Sequence, residues 1–290
     1  MAQLEARALV RRPYTISDPL EPLDALRERF QALGYLYFPQ AVDAGLCRSL
    51  LDTILDQLYP HITRTPAGAP VLAREPFFET DAVWDEVYPK IQRLEAFHTF
   101  FHRPELARLM TLVAGEDHFV YPMKMARIAT PRKIGYETPP HQDAYSHHAG
   151  PSMAGIWVAL HDVDDSMGRV TVLPRSHLGG VRPVFKAEGV GGVQCEIHAH
   201  ETEWHVSDYR CGDVLIFHSA TVHRAEPNIA ADKVRISVDT RFCDFGAPVF
   251  STNLEPHHGW RIPGLDWDSI YRGWQSREYQ YYWQGYPNLF

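Results

Sequence analysis

Residues 212–228 read Gly-Asp-Val-Leu-Ile-Phe-His-Ser-Ala-Thr-Val-His-Arg-Ala-Glu-Pro-Asn. The apolar run Val214–Phe217 predicts a strand that ends near His218, and we expect a second short strand to carry His223. Similar strand patterns occur on both sides of this stretch, at Phe119–Ile128, Gly155–Leu160, Val170–Leu173 and Val234–Arg241. Many short strands with long connections are typical of an antiparallel jelly roll. The sequence therefore predicts a mainly β protein with flanking helices, whose core, about 118–245, is a double-stranded β-helix of the jelly-roll or cupin-like kind.

The segments on either side of this core have a different character. Residues from about 20 to 115 are predicted to be mainly helical, and residues 246–290 form a tail rich in aromatic side chains. Ten of the 35 aromatic residues lie in the last 31 positions. That density predicts a docked tail, which acts either as a lid or as the interface of a homodimer. All three parts are expected to form one domain, 1–290.

Apolar spacing places the elements of the helical part. A helix is predicted over Leu23–Leu33 with Gly34 as its C-cap, followed by a strand at Tyr35–Phe38. The remaining predictions are an irregular arm at 1–20, a helix from Asp43 to about Leu58, a loop at 60–78, and helices around Asp85–Phe101 and Pro104–Ala114.

Composition excludes several classes of function. The chain has 290 residues and a net charge of -8, and its longest basic run is Arg11-Arg12, so nucleic-acid binding is not expected. No run of 18 apolar residues exists, and the first residues lack the apolar core of a signal peptide. We therefore expect a cytoplasmic protein that does not span a membrane. The four scattered cysteines are predicted to be buried thiols.

Histidine is abundant, with 16 residues, ten of them between His141 and His223. The sharpest motif is His141-Gln-Asp143, because alternating strand residues point the same way and both side chains could then share a metal ion. A third ligand is needed, and His223 is preferred over His218. Two histidines and one carboxylate form the facial triad of non-heme Fe(II) oxygenases. His177 is read as a turn residue, and His198, His200 and His205 as a solvated edge.

The run 234–241 alternates between two kinds of side chain. Val234, Ile236 and Val238 would lie on one face. The opposite face would carry four polar residues: Arg235, Ser237, Asp239 and Arg241. If the barrel interior is the polar side, Arg235 and Ser237 together bind a carboxylate. A dicarboxylate co-substrate could then bind the metal at one end and Arg235 at the other.

The order of these motifs resembles the phytanoyl-CoA dioxygenase family. The resemblance covers roughly residues 22–245 and rests on these segments: His141–Asp143, Trp157–Leu160, Gly168–His177, Gly212–His218, His223–Asn228 and Arg235–Ser237. The sequence also looks like the bacterial natural-product hydroxylases of that family, especially in the segment Ser-Val-Asp-Thr-Arg at 237–241. Two positions depart from the family pattern: Arg175 stands where Gly is usual, and Pro140 where an aromatic residue is frequent.

The resemblance implies an Fe(II)- and 2-oxoglutarate-dependent dioxygenase. Such an enzyme would hydroxylate an unactivated C–H bond of a small secondary-metabolite intermediate and release succinate and CO2. Desaturation, ring closure, epoxidation and endoperoxide formation need the same iron centre and stay open as alternatives. His141, Asp143 and His223 would hold iron, and Arg235 the distal carboxylate of 2-oxoglutarate. The same co-substrate pocket is assigned Ser237, Thr171 and Trp157. The substrate candidates are Lys124, Arg127, Tyr145, His147, His148 and Arg241.

Two other classes of function use the same residues. A hydrolase could hold Zn(II) on the three ligands and activate water. A jelly-roll binding protein would contain no metal at all, and the histidine pattern would then be coincidental. Within the oxygenase class, Asp143 argues against halogenation, because the halide would need the position that this carboxylate fills.

Overall fold

The computed structural model describes residues 9–131 and 135–290, so the predictions for residues 1–8 lie outside it. The described strands are β1 (Val10–Arg12), β2 (Tyr35–Phe38), β3 (Ile62–Arg64), β4 (Pro70–Leu72), β5 (His118–Ala129), β6 (Met153–Ala159), β7 (Val170–Val172), β8 (Val184–Lys186), β9 (Val193–Cys195), β10 (Glu203–His205), β11 (Val214–His218), β12 (His223–Ala225) and β13 (Arg235–Asp244). The described α-helices are α1 (Leu23–Leu33), α2 (Ala44–Leu58), α3 (Ala82–Gln92), α4 (Glu95–Thr99), α5 (Pro104–Ala114), α6 (Asp143–Ser146) and α7 (Trp267–Tyr271). Short 3-10 helices span Phe100–His102, Ser176–Gly179, Ser251–Asn253 and Tyr282–Gly285.

Two sheets form the jelly roll. The larger has five strands in the order β2-β11-β6-β13-β5, and the smaller has four in the order β1-β10-β7-β12. All neighbours in the larger sheet are antiparallel, whereas β1 pairs with β10 in parallel. The hairpins β3-β4 and β8-β9 lie outside these sheets. The predicted fold, a jelly roll with flanking helices, is confirmed.

The two faces of the larger sheet differ in what they contact. Ile156, Val158 and Ile236 pack with apolar residues of α2, α3 and α5 in the main core. The opposite face points between the sheets, where Trp157 and Phe217 pack with Val170 and Val172 of the smaller sheet. Because strand residues alternate between faces, the polar residues of β13 point into the interior of the jelly roll.

Several local predictions are confirmed in the helical part. α1 and β2 have the predicted bounds, and Gly34 adopts the left-handed conformation, with φ of 80°, that suits a helix C-cap. Asp43 caps α2 by accepting a hydrogen bond from the backbone N–H of Leu46. The four cysteines are buried and free.

Other local predictions are wrong. The loop predicted at 60–78 contains the hairpin β3-β4, and the irregular arm contains β1. The helix predicted around Asp85–Phe101 is interrupted between α3 and α4, where the His98 ring hydrogen-bonds with the carbonyl of Gln92 in place of a continuing backbone donor. His205 is buried in β10 and hydrogen-bonded with the hydroxyl of Tyr35, so it is not part of a solvated edge.

The aromatic tail docks on the helical part of its own chain. The indole of Trp274 donates to the carbonyl of Arg93, and the carboxylate of Glu95 accepts from the backbone N–H groups of Gln275 and Ser276. Ile270, Tyr271 and Trp283 belong to the main core. Among the described residues, no helix is both long enough and apolar enough to cross a bilayer.

Candidate metal centre and adjoining cavity

Three predicted ligands come together at one end of the jelly-roll interior. The Nε2 atoms of His141 and His223 lie 3.8 Å and 3.9 Å from Oδ1 of Asp143. One ligand atom from each of the three residues lies within 4.8 Å of those of the other two. His218 lies elsewhere: its Nδ1 accepts from the backbone N–H of Ala220, and its ring packs near Phe30 and His177.

Backbone pairing explains why the two histidines meet. His141 and His223 form an isolated antiparallel bridge, with N–H to carbonyl distances of 2.9 Å and 3.0 Å. The prediction that a strand also carries Asp143 is wrong, because the chain turns into α6 at this residue. The N–H of Ala144 donates to the carbonyl of Ser219, which holds the start of α6 against the end of β11. This turn, and not strand alternation, points Asp143 toward the histidines.

Hydrogen bonds fix which nitrogen each histidine offers. Nδ1 of His141 lies 2.9 Å from the carbonyl of Pro139, and Nδ1 of His223 lies 3.0 Å from that of Thr221. A carbonyl only accepts, so each Nδ1 carries the proton and each Nε2 presents a lone pair. Burial lowers the pKa of both rings, to about 3 for His223. Both imidazoles are therefore neutral at pH 7, as metal coordination requires.

The carboxylate of Asp143 is held in its charged form by a buried arginine. Burial alone would raise its pKa, but the Arg241 guanidinium holds that pKa well below its usual range. Nη2 of Arg241 donates to Oδ1 at 2.9 Å, and Nε lies 2.6 Å from Oδ2. Nη1 of Arg241 donates to Asp239, which also accepts two hydrogen bonds from Arg127. Charges of alternating sign thus extend from the metal centre along the interior.

Two further residues shape this centre, and the sequence gives no signal for either role. Gln142 anchors the segment between the ligands: its amide donates to the carbonyls of Gly180 and Ala220 and accepts from the N–H of Arg182. At Gly155 a Cβ atom would lie 2.5 Å from the Phe217 ring and 3.2 Å from Oδ2 of Asp143. Only glycine leaves room there for the ring and the carboxylate.

The pocket next to the triad contains buried polar atoms without partners. His141 and His223 line it together with Trp157 and Arg235. Among the described residues, no hydrogen-bond partner is found for Nε of Arg235, Oγ of Ser237 or Nε1 of Trp157. Arg235 is 5% exposed, and burial lowers its pKa to about 10. A buried guanidinium in this state needs an anion, so the pocket fits the carboxylate end of a chelating dicarboxylate.

Thr171 is not among the residues that line that pocket, and its assignment to the co-substrate stays a prediction. It pairs in register with Arg224, whose guanidinium packs over the ring of Trp204. The Thr171 hydroxyl is buried and has no hydrogen-bond partner among the described residues. Its neighbours Val170 and Val172 hold the inner face. Because strand residues alternate between faces, the side chain of Thr171 points to the face of β7 opposite that of Val170 and Val172.

A larger cavity of about 580 Å³ opens from the other side of the triad. Its lining includes Met123, Met125, Arg127, His147 and Arg241. The tail contributes a segment to the same wall: Thr252, Asn253, Glu255, His257, His258, Trp260 and Arg261. The volume falls in the range of small-molecule pockets, about 300–1,000 Å³. Part of the predicted aromatic tail thus covers the cavity like a lid.

The substrate candidates fall into two groups. Arg127, His147 and Arg241 line the cavity, and Nε2 of His147 lies 4.0 Å from Oδ1 of Asp143.

The other candidates do not line it. Lys124 lies on the opposite face of β5, where it donates to the carbonyl of Tyr121 and packs near Phe101 and Tyr282. Tyr145 is 48% exposed, and the exposed His148 packs on Phe250. For these three residues the predicted substrate contact is not supported: strand alternation turns Lys124 away, and the loop turns the others outward.

A jelly roll with two histidines and one carboxylate at the end of its interior is the architecture of non-heme metal oxygenases. The chain belongs to the phytanoyl-CoA dioxygenase family, which matches residues 30–237. This family is the one that the sequence motifs resemble.

Individual relatives support the same family and fold. The chain is 27% identical to the 1-deoxypentalenic acid 11-beta-hydroxylase of Streptomyces exfoliatus, over 77% of this chain and 81% of the relative. The crystal structure of the epimerase SnoN with Fe3+, alpha ketoglutarate and nogalamycin RO covers 80% of this chain and 87% of its own, with a TM-score of 0.58 and 23% identity. EvdO2 from Micromonospora carbonacea var. aurantiaca, complexed with 2-oxoglutarate, covers 80% of this chain and 93% of its own, with a TM-score of 0.53 and 20% identity. At these identities the structural matches establish the shared fold.

Proposed function

We propose that the chain is an Fe(II)- and 2-oxoglutarate-dependent dioxygenase that hydroxylates an unactivated C–H bond of a small organic molecule from secondary metabolism, releasing succinate and CO2. The observation that carries this proposal is a preorganised metal centre beside a buried arginine, Arg235, whose Nε has no hydrogen-bond partner among the described residues. The unpartnered polar atoms of Arg235, Ser237 and Trp157 lie in the same interior as the triad. The named relatives add support. One of them is a hydroxylase, and the structures of SnoN and EvdO2 contain 2-oxoglutarate, also called alpha ketoglutarate.

Each residue has a defined part in this reaction. His141, Asp143 and His223 hold the metal through two neutral nitrogens and one charged oxygen. Arg235 and Ser237 bind the distal carboxylate of 2-oxoglutarate, and Trp157 borders the same pocket. When bound, the iron supplies oxidising power from dioxygen and 2-oxoglutarate for attack on the C–H bond. The cavity walls orient the substrate and exclude water.

The two alternative functions leave the buried polar atoms unexplained. A hydrolase that uses metal-bound water has no need of the Arg235 pocket beside the triad. A binding protein without metal has no need of two histidines whose Nδ1 atoms are already engaged by carbonyls. The cytoplasmic location and the homodimer remain predictions.

The proposal is tested by anaerobic reconstitution of the apoprotein with Fe(II), followed by 2-oxoglutarate. A visible charge-transfer band is expected in the wild type and should be absent from His141→Ala and Asp143→Ala. His198→Ala, at an exposed histidine outside the cluster, is the matched control and should keep the band. If no band forms and Zn(II) supports hydrolysis, the hydrolase is the correct function.

A further inference from the structure

The lining of the substrate cavity contains a histidine whose ring nitrogens have no hydrogen-bond partner in the part of the chain that the structure describes. His258 is 6% exposed, and among the described residues neither of its ring nitrogens has a hydrogen-bond partner. It lines the same cavity as the metal triad. Its neighbour His257 is engaged instead, since Nδ1 of that ring is hydrogen-bonded with the hydroxyl of Tyr88. Buried polar groups are normally paired, so the ring of His258 points to a ligand group.

The backbone also holds His258 in an unusual conformation. Its φ is 66°, in the left-handed region that residues other than glycine, asparagine and aspartate seldom adopt. Burial and the nearby Arg261 lower the pKa of its ring to about 4, so the ring is neutral at pH 7. A neutral imidazole offers one donor and one acceptor. It therefore suits a hydroxyl group better than a charged group.

A carboxyl group stands across from this ring. Nε2 of His258 lies 3.8 Å from Oε2 of Glu79, which is too long for a direct hydrogen bond. Both residues line the cavity. A ligand hydroxyl between them could donate to one and accept from the other.

The arginines that line the cavity already have carboxylate partners. Arg127 donates two hydrogen bonds to Asp239. Arg241 contacts Asp143 and Asp239. Arg261 donates to Asp85, outside the cavity lining. A carboxylate on the substrate would therefore find its candidate cations neutralised and would meet Glu79 in addition, which disfavours its burial.

The lining also has an apolar and adaptable part. Met123 and Met125 project from β5, and Val190, Val193 and Trp260 complete the apolar part. Methionine side chains adjust to irregular shapes, and an apolar ring skeleton is the natural occupant of such a surface.

From this arrangement we infer that the substrate is a neutral, hydroxyl-bearing alicyclic compound, whose hydroxyl group binds between His258 and Glu79 while its ring skeleton lies toward the metal. The inference rests on the proposed function and adds the substrate class to it. It also separates this chain from the hydroxylase relative, whose named substrate is an acid.

The test uses matched probes on the full chain loaded with Mn(II) and 2-oxoglutarate. The probes share one skeleton: decahydronaphthalene-2-methanol, the corresponding 2-carboxylate and the corresponding 2-methylamine. Paramagnetic relaxation of the probe protons measures binding near the metal. We expect the alcohol to bind about tenfold more tightly than either charged probe, the size of one well-placed polar contact. Equal or tighter binding of the acid or the amine, or binding of none of the three, would overturn the inference.

Two cavity variants test whether His258 and Glu79 cause the preference for the alcohol probe. His258→Asn, which tolerates the left-handed backbone, should remove most of the preference for the alcohol. Glu79→Gln should improve binding of the acid relative to the wild type. His198→Asn, at an exposed histidine, is the control and should change nothing. An unchanged preference in both cavity variants contradicts the inference.

The result is separable from the proposed function. Binding of Mn(II) and 2-oxoglutarate is measured first, by itself, and its failure counts against the proposed function alone. In that case the three probes are compared on the metal-free chain by saturation-transfer NMR, with the same expected order.

Discussion

The metal triad and the Arg235 pocket lie side by side in the jelly roll, yet they differ in how their polar groups are satisfied. Around the triad, each histidine Nδ1 has a carbonyl and Asp143 has Arg241. In the neighbouring pocket, Nε of Arg235 has no partner among the described residues, and the same holds for Oγ of Ser237, two residues further along β13. The first region is organised without its metal, whereas the second is, in our proposal, completed by the distal carboxylate of 2-oxoglutarate. Replacing a charged residue by an apolar one should therefore lower the free energy of unfolding at the triad and raise it in the Arg235 pocket.

The largest effect is expected for Asp143→Ala, which removes a metal ligand and leaves Arg241 without one of its two carboxylates. Turnover should fall below detection. Because a buried ion pair is broken, the free energy of unfolding of the metal-free protein should drop by about 3 kcal/mol. Urea denaturation followed by circular dichroism measures this change. An unchanged free energy of unfolding would show that the ion pair between Arg241 and Asp143 does not stabilise the fold.

Arg235→Met should separate stability from binding. The affinity for 2-oxoglutarate is expected to fall about 100-fold, because a buried charge-assisted contact is lost. The metal-free protein should become more stable by about 1 kcal/mol, since an unpaired buried charge is replaced by an apolar side chain. Arg210→Met, at an exposed arginine paired with Asp162, is the matched control. Destabilisation by Arg235→Met would mean that the guanidinium is already satisfied.

Arg241→Lys tests whether the guanidinium geometry matters at the triad. Lysine keeps the charge but cannot contact Asp143 and Asp239 together as a planar fork does. Metal affinity is expected to fall by about 10–100-fold, the usual effect of disturbing a group that orients a ligand. Competition with a chelator measures it, and an affinity equal to that of the wild type would rule out a positioning role.

The smallest effect on activity is expected for Lys124→Met. This lysine lies on the face of β5 that points away from the cavity, so kcat/KM should stay within about twofold of the wild type. Arg127→Met, three residues along the same strand, should lower kcat/KM clearly, because Arg127 lines the cavity. Equal losses in the two variants would mean that strand alternation does not separate them.

Sequence periodicity is sufficient to predict which face of the sheet a residue lies on when its environment depends on the strand alone. The alternation in 234–241 predicted which face of β13 carries Arg235 and Ser237, and the structure places both in the interior. The sequence predicts that Asp143 lies beside His141 and the structure brings the two together, but a turn into α6, and not a strand, directs the carboxylate. Thr171 lies on a three-residue strand, which gives too little pattern to predict which face its side chain takes.

Other roles depend on partners that are remote in the chain. Gln142 is anchored by residues about 40 and 80 positions away, and Gly155 is needed because of Phe217. His258 faces Glu79 across the cavity only after the tail has docked. No local pattern marks such residues, because their function arises from tertiary packing.

The most direct test of the central claim is the calorimetric titration of 2-oxoglutarate into the anaerobic Mn(II)-loaded protein. The account predicts one molecule bound per chain, no comparable binding to the metal-free protein, and loss of binding in Arg235→Met. Binding that is equally strong without metal, or that is unchanged in Arg235→Met, would contradict the assignment of the pocket between the triad and Arg235 to this co-substrate.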